Sequence, residues 1–418
     1  MADFRPFRAL RYDTAIAGDG ASLIAPPYDV VSDDDKAELY GRSAYNVSHI
    51  DFGEGDDRYA RAGRDLRVWQ KRGVLRRDDA PRLYAYDQEF ELEGKTLLRR
   101  AVFGRLRLEE WEKGVVLPHE LTGAAAKADR LLLLRETRVH LSPVFALYRP
   151  EGVPAVEDAS LGPPLLDAVL PGERHTLRPV DPDAAAVLSS ALAGARLYVA
   201  DGHHRYETGL SYRDERRAAS ASWTGEEAEN FILAALVSVA DPGLVVLPTH
   251  RLVRLRQRPG LRRLLAAFAL EDAGVASDAN LKRLMRQLAE AGARGPAFGA
   301  IGLEPGRLHL LTPRDAALLV SGLRDIPPAL ARLDVTILER AVFPALGLEE
   351  SPETIDYTES HRHAAEAVAA GRCDVAFLLN PTPVEQVLAV AAAGERMPRK
   401  STFFYPKLAT GVVMLPLD

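Results

Sequence analysis

A chain of 418 residues, 47% hydrophobic and 27% charged, has the balance of a core-forming protein of two or three domains. Its 53 basic and 59 acidic residues leave a net charge of −6, which argues against a broad nucleic-acid or membrane surface but permits a local basic pocket. The single cysteine, Cys373, excludes an internal disulfide and a cysteine-based metal cage, and it fits a reducing cytoplasm. The start, MADFRPFRAL, lacks the apolar run of a secretory signal. The longest strongly apolar run, FILAALVSVA at 231–240, is too short to span a bilayer. A cytoplasmic protein with small-molecule partners, no nucleic acid and no membrane is expected.

Residues 1–32 read as loop, ending in APPYDVVSDDD, where a Pro-Pro-Tyr-Asp turn precedes an Asp-rich helix start. Tyr59, Ala62, Leu66 and Trp69 share one stripe of a helix over 56–73. Residues 82–108 alternate and turn at Glu-Gly-Lys, the pattern of an antiparallel hairpin. A helix forms within 118–137, a strand over 140–150, a strand over 195–200 and a helix over 204–217. Residues 231–253 read as two strands around Asp241-Pro242-Gly243. Further on come a helix at 281–292 and strands at 297–304 and 307–313. The end gives helix, strand and helix over 360–394, then MPRKSTFFYPK at 397–407. The fold class is α+β, divided as an N-terminal α+β segment (1–110), a middle segment (111–255) and an α/β C-terminal segment (256–418).

Three stretches carry chemistry. In YVADGHHRYETG (198–209) a strand enters Asp201-Gly202 and leaves as a helix. Gly202 permits a tight turn, and the N–H groups of 202–205 open a helix N-terminus that favours an anion. His203, His204 and Arg205 add donors, and arginine grips phosphate bidentately. Asp201 has the wrong sign for phosphate, so it fits either a divalent cation or a histidine to be oriented. A plain turn with solvent-facing histidines explains the same letters. In the second stretch, Pro118-His119-Glu120, a glutamate beside a histidine suits a general base, or simply an acid on the first turn of a helix. In the third, Lys400, Ser401, Thr402 and Lys407 suit phosphate or carboxylate, or a surface strand. Neither GxxxxGK[ST] nor a strand-borne GxGxxG occurs.

Together the three stretches resemble a known group. VADGHHRYETGL resembles the DGHHR loop of the ParB/sulfiredoxin superfamily in the form used by free serine kinases, which convert L-serine to O-phospho-L-serine. LPHEL resembles their PHE segment, and the tail through KSTFFYPKL resembles their ending. The whole chain, with APPYDVV, KADRLLLL, SPVFALY and LPTHRLV, also resembles a longer prokaryotic family formerly labelled a domain of unknown function, whose members have been assigned to serine phosphorylation, some with pyrophosphate. The compact kinases lack the N-terminal segment and much of 251–355, which leaves the donor open.

The resemblance implies a ParB/sulfiredoxin-like catalytic core in the middle segment, a Mg²⁺-dependent reaction and a donor of pyrophosphate, ADP or ATP. It implies that Glu120 takes the serine hydroxyl proton and that Asp201 assists through magnesium or by fixing the substrate. Gly202, His203, His204 and Arg205 would form the phosphate loop, with His204 also catalytic, and Lys400, Ser401 and Thr402 would line the substrate side. His119 is a neighbour of open role, and Asp29, His250 and Arg251 are further candidates. The same residues would serve a phosphoserine phosphatase or another small-molecule phosphotransferase, and the same fold a nucleotide-binding non-enzyme of the ParB type. Sulfiredoxin chemistry needs a cysteine where this chain has His203.

Overall fold

A computed structural model of the chain describes residues 1–255, 261–348 and 354–418; residue 256, where the third expected segment begins, lies outside the described residues. The chain forms two compact units. One contains Met1–Pro118, Thr122–Leu244 and Pro406–Asp418, and the other His119–Leu121 with Val245–Tyr405. Both combine helices with sheet, so the α+β expectation holds.

The first unit is built around the hairpin. Tyr84–Leu92 and Lys95–Arg107 pair antiparallel from Tyr84↔Phe103 to Leu92↔Lys95. Turn residues Glu93 and Gly94 both take positive φ, 51° and 76°, the twist that a two-residue hairpin turn requires. Strands extend the hairpin on both sides into a nine-stranded mixed sheet among the described residues. On one side lie Glu173–Pro179 and Leu166–Leu170; on the other, Phe231–Ser238, Val144–Tyr148, Leu197–Asp201 and Val116–Leu117 follow in turn. Phe231–Ser238 is apolar at seven of its eight positions, as a strand covered on both faces must be. Phe4, Leu106, Val144, Leu197, Tyr206 and Ile232 belong to the core on this sheet.

The second unit carries a six-stranded sheet among its described residues, ordered Phe268–Val275, Arg307–Pro313, Phe298–Ile301, Val375–Leu378, His250–Val253 and Ile355–Thr358, with every pair antiparallel. The helix Asp278–Gly292 buries Leu281, Leu284 and Leu288, one face at helical spacing, in the core with Ile301 and Leu378. A separate two-stranded ribbon joins Val245–Leu247 to Phe403–Tyr405.

Two sequence expectations change. Residues 1–32 hold two short strands: Phe4–Arg5 pairs with Arg105 and Leu106, and Leu10–Tyr12 with Leu75–Arg77. Segments of two or three residues are too short to show a period. Residues 231–253 form three strands instead of two. Phe231–Ser238 lies in the nine-stranded sheet, whereas Val245–Leu247 and His250–Val253 pair within the second unit. No helix among the described residues is long and apolar enough to cross a membrane.

Where the helix Arg58–Lys71 meets the helix Ala124–Thr137, Gly63 allows a close approach. A Cβ at Gly63 would lie 2.7 Å from the Glu136 carbonyl oxygen, which belongs to the backbone and cannot swing aside. Gly63→Ala should therefore destabilise the first unit by about 1–3 kcal/mol despite its better helix propensity. A melting midpoint equal to or above that of the parent chain would show that the two helices separate freely.

Candidate functional site

In the first unit, the strand Leu197–Asp201 runs against Val144–Tyr148 with a register shift between Val199 and Asp201, a bulge that re-aims the last side chain. Gly202 follows at φ 93°, ψ 25° and caps the helix His203–Ala219. A Cβ at Gly202 would also meet the Arg205 guanidinium at 3.1–3.2 Å and push it by a few tenths of an ångström, besides straining the left-handed backbone. Arg205, one helical turn on, folds back: Nη2 donates to Asp201 Oδ2 at 2.5 Å and Nη1 to the Pro143 carbonyl. Lys407 Nζ donates to the other oxygen, Asp201 Oδ1. The three side chains are only 11–15% exposed. Burial by itself would raise the Asp201 carboxyl; Lys407 and Arg205 outweigh it and hold the group well below the usual carboxylate range.

His203 is buried and adds to the positive surroundings of Asp201. His204 does something the sequence did not suggest. Its Nε2 accepts the Gly123 N–H at 2.8 Å. Gly123 is the cap residue of the helix Ala124–Thr137 and has no side chain to offer, so a histidine from another helix satisfies part of that helix start. The acceptor role places the ring proton of a neutral His204 on Nδ1. Glu207, one turn further, accepts from Thr122 Oγ1 at 2.7 Å and from Lys127 Nζ at 2.8 Å.

In the second unit, the PHE and KST segments meet. Met397 N–H donates to the His119 carbonyl at 2.7 Å, and Glu120 bridges to Met397 in parallel. Glu120 Oε1 accepts the Lys400 N–H at 3.0 Å. Lys400 is exposed and takes φ 57°, a left-handed conformation that a non-glycine residue keeps only under constraint. The buried His119 shares a 3.0 Å hydrogen bond between its Nε2 and Thr402 Oγ1. Ser401 is turned inward, donating from Oγ to the Pro398 carbonyl at 2.6 Å. Arg251 has no exposed surface; its Nη1 donates to the carbonyls of Thr249 and Lys400 at 2.7 and 3.1 Å. His250 beside it is buried, and burial, helped by His361 and Arg251, pushes its pKa down to about 3. Asp29 is exposed in the first unit.

The expected residues thus gather as two groups, one per unit. Asp201, Gly202, His203, His204 and Arg205 stand with Lys407; His119, Glu120, Lys400, Ser401 and Thr402 stand with Arg251. A resident metal does not fit the first group. Both Asp201 oxygens face cations, and among the described residues no three His, Cys, Asp or Glu side chains gather as a metal site.

A family model described as "Protein of unknown function (DUF1015)" matches residues 4–336. The chain belongs to this family. No curated protein matches the DUF1015 chain. Among solved structures it is similar to a free serine kinase mutant in complex with ADP, at 12% identity and TM-score 0.37, covering 72% of this chain and 86% of that one. It is also similar to a conserved hypothetical protein from Pyrococcus furiosus (12% identity, TM-score 0.33, coverage 73% and 93%). A third is C-terminally truncated SbnI from Staphylococcus aureus (10% identity, TM-score 0.32, coverage 75% and 87%).

Lys407 and Glu207 are the residues that sequence reasoning undervalued in this DUF1015 chain. Lys407 stands 206 positions from Asp201, and nothing in the letters announces their pairing. Glu207 follows the DGHHR motif at i+6 from Asp201, inside a helix whose facing partners only the fold reveals.

Asp201→Asn would leave two largely buried cations without their shared counter-charge and should cost about 3–5 kcal/mol at neutral pH. Because the folded carboxyl titrates below its unfolded value, its contribution is complete above about pH 4 and is lost as pH falls through the lower folded pKa. Chemical denaturation should therefore give a wild-type-to-Asn gap that is flat over about pH 5–8 and narrows only below about pH 4. A gap that closes near neutrality would mean the carboxylate is not held ionised.

Proposed function

We propose that the chain transfers a phosphoryl group to the hydroxyl of free L-serine, from pyrophosphate, ADP or ATP, giving O-phospho-L-serine. The observation that carries this reading is the ionised Asp201 clamped by Arg205 and Lys407 at the start of a 17-residue helix. Such a clamp fixes a helix N-terminus in place, and a fixed N-terminus is a site for phosphate oxygens. Phosphoryl transfer asks for positioning and positive charge more than for covalent chemistry by the protein.

Under this reading Glu120 takes the serine hydroxyl proton, the hydroxyl oxygen bonds to the terminal phosphorus, and the donor's bridging P–O bond breaks with its electron pair leaving on the shortened donor. The Lys400 N–H on Glu120 Oε1 supports that role, because it fixes the carboxylate's orientation. Gly202, His203 and the first-turn N–H groups receive the phosphate, and Arg205 acts by holding Asp201. Magnesium enters as the donor's counter-ion in solution and in no step assigned to these residues.

Purified protein incubated with L-serine, Mg²⁺ and each donor in turn should produce O-phosphoserine, followed by phosphorus NMR. No product with any donor, alongside hydrolysis of added phosphoserine, would turn the assignment to a phosphatase. Silence in both directions would remove the catalytic reading altogether.

Glu120→Gln keeps the size and the acceptor oxygen but removes the basicity. Turnover should fall by about 10²–10⁴-fold while the serine dissociation constant stays near its original value. Full turnover in this variant would take Glu120 out of the mechanism.

A further inference from the structure

A second polar centre lies wholly within the first unit and is not used above. Arg130 Nη1 donates to Asp51 Oδ1 at 2.8 Å, and its Nε and Nη2 both donate to Asp129 Oδ2, at 2.8 and 2.6 Å. Tyr28 lays its ring over that guanidinium, 4.0 Å from centroid to carbon. Three of the five Arg130 N–H groups thus go to two carboxylates, and burial raises the Asp51 carboxyl in spite of Arg130 beside it. Asp51 is 3% exposed, and among the described residues its Oδ2 makes no hydrogen bond. A buried carboxylate oxygen without a donor is costly, so a built protein keeps one where something else supplies the donor.

Asp51 and Arg130 line two adjoining spaces. The larger cleft, about 220 Å³, is also lined by Tyr28, Lys36, Arg58 and Asp129. The smaller one, about 40 Å³, reaches Arg205 and Thr208, whose Oγ1 is likewise buried without a partner. The larger volume is below the roughly 300–1,000 Å³ of pockets for drug-sized ligands, so it suits a metabolite of few heavy atoms. Asp51 Oδ2 calls for a donor, while Lys36 and Arg58 face the same cleft and their contacts to Glu54 and Asp129 are only long ones of 3.5 Å, contacts that a ligand carboxylate can replace. A molecule carrying an ammonium donor and a carboxylate a few bonds apart satisfies the two sets together.

We infer that this cleft binds a small α-amino acid, with its ammonium on Asp51 Oδ2 and its carboxylate toward Lys36 and Arg58. The inference rests on the phosphotransfer reading only for the choice of L-serine as probe. Isothermal titration of the full chain should show L-serine binding, with N-acetyl-L-serine, which has lost the ammonium, at least about tenfold weaker. Asp51→Asn should weaken L-serine by about 10- to 100-fold. Lys36→Gln should weaken L-serine yet leave ethanolamine, which lacks the carboxylate, unaffected. Absence of L-serine binding, equal binding of the N-acetyl compound, or affinity indifferent to both substitutions would overturn the inference. Binding that follows Asp51 while phosphoserine never forms keeps the inference and removes the kinase reading. Phosphoserine formation with L-serine affinity unchanged in Asp51→Asn does the reverse.

Discussion

The two cations on Asp201 are the constraint on which the rest of the first unit's chemistry depends. A carboxylate at this depth is stable as an ion only if both oxygens are compensated, and here one comes from the next helical turn and the other from the returning C-terminal segment. The sequence requirements follow. The bulge before Asp201 turns its side chain, Gly202 supplies a left-handed cap that no other residue adopts cheaply, and Arg205 occupies the space a Cβ would need. Changing any one of these unbalances the others. The DGHHR run therefore reads as a folding device as much as a ligand loop.

The second unit solves a different problem by backbone rather than by charge. Lys400 holds a strained left-handed conformation, and both of its peptide groups are tied: its N–H to Glu120 and its carbonyl to the fully buried Arg251. Arg251 in turn rests over the Tyr357 ring at 4.9 Å and lies 3.5 Å from Glu339. Glu120 is held by a neutral donor whose own position a buried cation fixes. This arrangement controls geometry at the carboxylate while keeping the guanidinium one peptide away from it.

What the letters revealed and what they hid divides along physical lines. The hairpin at 84–107 and the helices at 58–71, 124–137 and 278–292 were legible because a face repeats over many residues and turn chemistry marks the ends. The strands at 4–5 and 10–12 were not, being too short to carry a period. The turn Asp241-Pro242-Gly243 was legible as a turn but not as a passage between units, since a turn signal says nothing about which sheet the next strand joins. Site residues followed the same rule. The motif letters marked Asp201, Glu120 and Lys400, but the partners that give them meaning, Lys407, Gly123 and Arg251, lie where only tertiary folding brings them. For His204 the letters gave the residue type but not its place, and its ring accepts the N–H of Gly123 at the start of another helix.

The electrostatics also separate the two carboxylates that the motifs put forward. A general base must accept a proton in the transition state, and its capacity to do so falls as its pKa is driven down. Burial would have made Asp201 more basic, yet Lys407 and Arg205 reverse that, so this carboxylate is a poor proton acceptor at neutral pH. Its fitness is for holding charge in place. Within the phosphotransfer reading the hydroxyl proton then falls to Glu120, whose Oε1 accepts the Lys400 peptide N–H. The division of labour comes from environment, since aspartate and glutamate differ little in water.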